Sequence, residues 1–440
     1  MFCSEPYDSP FTKAITTVAT VFESLWKRGP AAILETSPQL IQTLHRLHTT
    51  MESPHERHRP STVLAILVLQ HFENISAAFG SRGSSRTHHN GALALLSSVS
   101  AEPNRTVSDE KLGYLMRYAL HTEVSAALRQ GTSIPDGVRS WLGNPLMMSA
   151  PSNPSSSLDI LGVLVSDARS SYMDLTRRGR FPPCSETDLS FWRDKIHDLN
   201  SRLLSWANNV PAHWRPLRLA SAWDMKASVV TYLSGCDVYP SCQIASIWNL
   251  WRTYRLLTLQ VQVALFRALP EPRGAYATCQ AAVQNIVDGL CYSVPFYLGD
   301  RTRPCSITDF GRSEISLPSY HGLPPDKVGD RDLVVADEHY RHTVAQGPWH
   351  IMGPLSRVLT LFNEKDGDAL ADMLRPGQRD WIRQQFLRTV AILHLPTGDG
   401  DGGAGSVPLS TKALMGAVDL TGADRIATNI RKRLALSGGS

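Results

Sequence analysis

The sequence has no Cys-x-x-Cys pair. Its seven cysteines are Cys3, Cys184, Cys236, Cys242, Cys279, Cys291 and Cys305. That spacing offers no zinc-ligand pair, and an odd number in a long chain argues against a secreted disulfide scaffold. Reduced thiols, mostly buried, are expected. Net charge is also scarce: 44 basic side chains against 40 acidic ones leave +4. Nucleic-acid affinity comes largely from phosphate neutralisation by a basic stripe. Here only short runs occur, Arg177, Arg178 and Arg180, then Arg431, Lys432 and Arg433. They read as solvated loop or helix ends.

Long apolar runs are missing too. Residues 227–251 carry one charge, Asp237, but also Gly235, Pro240 and Asn249. A membrane span needs about 20 mostly apolar residues. Two buried helices separated by a turn are expected there instead. The opening MFCSEPYDSPFTKA lacks the apolar core of a signal peptide. The glycosylation patterns Asn74-Ile-Ser76 and Asn104-Arg-Thr106 therefore have no secretory context. Alternating strand patterns and hairpin turns are scarce, and no helix–strand alternation marks an α/β sheet.

Helical periodicity is what remains. Val63, Leu64, Leu67, Phe72, Ile75 and Phe79 recur at three- and four-residue steps. Leu112, Leu115, Met116, Ala119 and Leu120 do so after Ser108-Asp109-Glu110, a helix-start signal. A third helix, marked by Phe191, Ile196, Leu199, Leu203, Leu204 and Trp206, is expected after Thr187-Asp188 and before Pro211. From Ala245 to Leu269 the pattern is apolar on more than one side, as for a central helix. Further helices are expected over 278–290, 349–362 and 378–395. Loops are expected over 143–157, 299–340 and the Gly-rich 396–409. The fold class is all-α, a large helical bundle or array. It forms one helical domain over residues 1–395, followed by a Gly-rich flexible loop and tail over 396–440.

Motifs for chemistry are weak against their bland readings. Gly400-Asp-Gly402-Gly-Ala-Gly405 matches a dinucleotide fingerprint but lacks the strand before it and the helix after it. Ser24-Leu-Trp-Lys27 matches Ser-x-x-Lys without a companion motif and reads as helix surface. His55-Glu-Arg-His58 has the wrong spacing for a zincin and reads as a polar loop. His88, His89, and His121 near Glu123, read as structural histidines that cap or bond helix ends. No catalytic, cofactor-binding or metal-ligating residue is assigned. No cofactor is implied, and no enzymatic chemistry is argued.

Several elements together resemble the regulatory domain of fungal-specific transcription factors, the helical region that follows a binuclear zinc cluster in many such regulators. Leu64 to Glu73 resembles the family's A-x-x-L-L-x-x-(Tyr/Phe)-Glu helix. His88-His-Asn-Gly91-Ala92-Leu-Ala-Leu-Leu96 resembles its His-x-x-Gly-Ala-x-x-Leu-Leu element. Residues 112–142, the central IWNLWRTYRLLTLQVQVAL, residues 286–298 and Gly347-Pro-Trp-His…Gly353-Pro-Leu resemble later elements in the same order. The likeness covers roughly residues 10–395. The zinc-cluster arms, Cys-x-x-Cys-x6-Cys twice, are absent from the 440 residues.

The resemblance implies a nuclear transcription regulator acting through protein–protein contacts, with a secondary-metabolite gene cluster as one target by family analogy. It implies other regulators or coactivators as partners, homo- or heterodimers, and room for a small-molecule effector. It implies no membrane, and direct DNA binding lacks its reader. A helical enzyme with an unrecognised active site and a truncated gene product stay open as alternatives. For the Gly347–Leu361 stretch, Gly347-Pro348 is expected to end one segment and Gly353-Pro354 to start the next helix. Trp349 is expected to bury its ring, with His350 packing or capping beside it.

Overall fold

The computed structural model describes residues 5–28, 32–80, 85–101, 107–183, 185–220, 224–267, 273–301, 309, 311–312, 314–323, 325–328, 335–397 and 420–435. Cys3, Cys184, Cys305, Asn104-Arg-Thr106 and the Gly400–Gly405 motif lie outside the described residues. The chain divides into two compact units. The first holds Met1–Asp167 with Pro396–Ser406 and Asn429–Ser440; the second holds Ala168–Leu395 with Val407–Thr428.

In the first unit, α1 (Pro10–Arg28) packs on α2 (Ala32–Glu52) and α4 (Pro60–Ala78), with the single turn α3 (Pro54–Arg57) between the latter two. Ser9 Oγ accepts from the Thr12 N–H at 3.2 Å, satisfying a first-turn donor of α1. Helix α4 buries Val63, Ala65, Leu67 and Leu69 together with Ser61 and Gln70, so nearly all its faces are covered. It packs against α5 (Thr87–Ala101) and α6 (Asp109–Gln130). Helix α6 starts at the expected signal and ends at Gly131, whose φ of 69° is the left-handed stop that glycine adopts freely. A Cβ on Gly113 would stand 2.4 Å from the Leu146 carbonyl oxygen, so glycine permits the contact with α8 (Pro145–Ser149). The one-turn α7 (Asp136–Arg139) precedes α8. The expected loop over 143–157 is therefore largely helical: α8 occupies it, and α9 (Pro154–Arg177) begins inside it. Asn153 caps α9 reciprocally, its Oδ1 accepting from the Ser156 N–H at 2.9 Å while its own N–H donates to Ser156 Oγ at 3.1 Å.

In the second unit, α10 (Glu186–Asn209) starts at Ser185, whose hydroxyl accepts from the Asp188 N–H at 3.5 Å. The start lies just ahead of the expected Thr187-Asp188. Next come two antiparallel strands, β1 (Leu217–Ala220) and β2 (Gly235–Val238), with Leu217 opposite Val238 and Ala220 opposite Gly235. This overturns the expectation of two helices over 227–251. Leu233 and Ser234 take φ of 45° and 57° and reverse the chain, which a right-handed helix cannot do. Helix begins only after Ser241, whose Oγ accepts from the Ile244 N–H at 3.2 Å.

Helix α11 (Cys242–Phe266) is the centre of this unit and packs against α10, α12 (Arg273–Leu298) and α14 (Ala336–Leu361). Its buried arginines are bonded: Arg252 to Asn249 Oδ1 at 2.6 Å and to Tyr239 OH at 3.1 Å, Arg255 to Asn200 Oδ1 at 3.2 Å. The single turn α13 (Pro325–Val328) lies between α12 and α14, and α14 begins inside the stretch expected as loop. Helices α12 and α14 run through their prolines, Pro295 in one and Pro348 and Pro354 in the other. The expected break between Gly347-Pro348 and Gly353-Pro354 is absent. Leu355, Val358, Leu359 and Phe362 are buried as expected, and burial of this face holds the helix where proline removes backbone bonds. Trp349 is only half-buried.

The short α15 (Gly367–Asp372) and α16 (Gln378–Ile392) complete the core, and α17 (Thr421–Ala435) follows. A polar knot locks the α14 C-terminus. Glu364 accepts from Arg169 at 2.7 Å and Arg357 at 2.8 Å, while Tyr172 donates to Asp366 at 2.7 Å. Burial alone would raise the Glu364 carboxyl, but the two guanidiniums bring it down to about 2. Among the described residues, no helix is long and apolar enough to cross a membrane.

Candidate functional site

Helix α6 carries Leu120, Val124 and Ala127 toward the interior, and Glu123 on the same side is 1 % exposed. A buried carboxylate is costly unless paired and hydrogen-bonded. Here α5 and the residues before it supply the partners. His89 Nε2 lies 2.6 Å from Glu123 Oε2, and Arg86 Nη2 donates to the same oxygen. The His89 N–H donates to Gln70 Oε1 of α4 at 3.0 Å, and Gln70 Nε2 donates to the Ser85 carbonyl at 2.9 Å. His88 Nδ1 stands 2.6 Å from Glu73 of α4. The three helices are thus tied by one continuous polar cluster.

Burial would raise the Glu123 carboxyl, but bonds from His89 and Arg86 outweigh it and hold it below its usual range. Arg129, one and a half turns further along α6, is pushed down to about 10 by burial and by the neighbouring Arg86 charge. A cavity of about 20 Å³ lies among Gln70, Arg86, His89 and Arg129, room for about one water. A second pair ties α6 to α9: His121 Nδ1 is 2.8 Å from Asp159 Oδ1. Burial disfavours the imidazolium, yet the Asp159 charge and bond prevail and raise His121 above its ordinary value. His88, His89 and His121, expected to cap or bond helix ends, each meet a carboxylate of another helix.

The remaining residues singled out by the sequence are scattered. Lys27 pairs with Glu23 at the surface, whereas Ser24, expected on the surface, is buried and accepts from Arg28 at 3.3 Å. His55 lies within α3, a helical turn capped at its start by Ser53 in place of the expected loop, and His58 caps its end; Arg57 Nε donates to His58 Nε2 at 3.1 Å. His350 Nδ1 meets Ser246 Oγ at 2.7 Å, its ring lies over Tyr297, and burial pushes it down to about 4. It packs α14 on α11 and α12.

Sequence reasoning missed a second cavity, of about 630 Å³, within the second unit. Buried Val229, Pro318 and His339 form its floor. His339 is 2 % exposed. Its ring centroid is 5.1 Å from that of His321 and 5.4 Å from that of Phe296. Burial, helped by His321 and His342, pushes His339 down to about 4, so it is neutral at pH 7. Among the described residues, no group of three or more His, Cys, Asp or Glu side chains could hold a metal ion.

No curated protein and no solved structure matches the chain. A family does match: residues 15–222 fit the fungal specific transcription factor domain. The Glu123 cluster lies wholly inside that span, and the larger cavity lies beyond it. Residues 15–222, a little under half of the chain, are therefore similar to the fungal-specific transcription factor domain.

Proposed function

We propose that this protein regulates transcription in the nucleus by binding other proteins, regulators or coactivators. The family match over residues 15–222 carries this reading. The helical architecture supports it, because polar side chains of the matched part join its helices: Glu123 with His89 and Arg86, Glu73 with His88, and Asp159 with His121. Such pairs hold a scaffold rigid for surface recognition. Homo- or heterodimerisation and control of a secondary-metabolite gene cluster are the finer parts of the proposal, carried over from the family.

The test fuses the full chain to a foreign DNA-binding domain and reads a reporter gene bearing that domain's site. Altered transcription relative to the bare DNA-binding domain is expected. An unchanged reporter from a stably expressed nuclear fusion counts against the proposal.

A further inference from the structure

We propose that the small cavity of the first unit, among Gln70, Arg86, His89 and Arg129, is a binding site for one compact monovalent anion, held by the Arg86 and Arg129 guanidiniums. Charge around this cavity is not balanced. Arg86 and Arg129 line it, and among the described residues no carboxylate does. The acid nearest to them in the polar cluster, Glu123, already accepts from both His89 and Arg86 through one oxygen, Oε2. Glu73 of α4 is taken up by His88 at 2.6 Å and by Ser85 Oγ at 2.8 Å. Two guanidiniums therefore share one carboxylate, and one positive charge is left over.

Two groups on the wall lack partners. The Arg129 guanidinium makes no hydrogen bond and no ion pair among the described residues. Burial and the Arg86 charge both act against its protonated form. His89 is 1 % exposed, and its Nδ1 is buried with no hydrogen-bond partner. A guanidinium withdrawn from water beside a like charge is costly unless an anion compensates it. A single water fits the space but brings no charge to it. The space, about 20 Å³, also limits the size of the anion. A halide ion or the smallest carboxylate fits there, and a bulky acid does not. Once bound, the anion ties Arg86, just ahead of α5, to Arg129 on α6. The site goes beyond the regulatory reading above and does not rest on it.

The test melts the purified full chain in sodium chloride, sodium formate or sodium gluconate at equal ionic strength. Chloride and formate are the probes, one a halide and the other a carboxylate. Gluconate is too bulky for the cavity and serves as the reference. At about 200 mM, at least one probe should raise the melting midpoint of the native chain by about 3 °C over gluconate. Arg129→Gln and Arg129→Met remove the charge without breaking any side-chain bond, and having both guards against one failing to fold. In gluconate each should melt at or above the native midpoint, because a like-charge contact is gone. In chloride and formate each should lose the rise. A rise with chloride alone assigns a halide, and a rise with formate alone assigns a carboxylate. No rise with either probe overturns the proposal. So does a rise in the two variants equal to that of the native chain, which would mark a general salt effect.

Discussion

A Cβ on Gly347 would stand 2.3 Å from the carbonyl oxygen of Tyr297. The two helices, α14 and α12, cross with backbone against backbone, and only glycine permits that approach. Gly347→Ala must push them apart. Alanine gains about 1 kcal/mol of helix propensity, but overpacking of this kind costs about 1–3 kcal/mol, and the overlap is with rigid backbone. A net loss of stability is expected. Gly353 is the internal control, because a Cβ there meets nothing within 4 Å; Gly353→Ala should be neutral or stabilising. Thermal melts of the pair decide it, and equal effects would refute the close crossing.

Glu123→Gln should destabilise the first unit. Removing one partner of a buried ion pair typically costs about 3–5 kcal/mol, because the other charge is left uncompensated. Arg86 and Arg129 would then face each other without their carboxylate. Urea denaturation measures this, and a loss under about 1 kcal/mol would show that the cluster does not hold the helices.

The His121–Asp159 pair should be more stabilising in mild acid than in base. The folded-state value of His121 is raised by Asp159 against the opposing effect of burial. Its contribution is therefore complete below the unfolded value of about 6.5 and is lost as pH rises through the folded value. The stability gap between the native chain and His121→Asn should be larger at pH 6 than at pH 8.5. A gap that grows with pH would contradict the pairing.

His339 has the opposite sign. Burial pushes its folded value down to about 4, so its neutral form is favoured in the native state. Stability is present above the unfolded value of about 6.5 and falls as pH drops toward 4. From pH 7 to pH 5 the loss should be about 2 kcal/mol from this residue alone. His339→Gln should flatten that part of the pH profile, and an unchanged slope would place the acid sensitivity elsewhere.

Much of this architecture is legible in residue spacing. The apolar steps of Val63–Phe79 and Leu112–Leu120 give α4 and α6 their existence, and Ser108 marks where α6 starts. The strand pair was not legible, because the tight turn leading into β2 falls at Leu233 and Ser234, which carry no intrinsic preference for positive φ. Proline misled at 295, 348 and 354, where packing outweighs a local penalty that any sequence rule must apply. Glu123 did leave a signal: it falls three residues after Leu120 and four before Ala127, a carboxylate on an otherwise apolar stripe. A charge there demands a partner, but nothing in spacing says that the partner is His89, 34 residues away. The 630 Å³ cavity has no local signature, since its walls come from segments about a hundred residues apart.

The two internal prolines of α14 have a consequence for how the chain folds. Each lacks the N–H that would bond the carbonyl four residues earlier, so Val344 and His350 lose their helical partners. A peptide of residues 336–361 is expected to be mostly unstructured in water, because its local bonds cannot outweigh the nucleation cost. The helix must be templated by α11 and α12, which makes it a late arrival in folding.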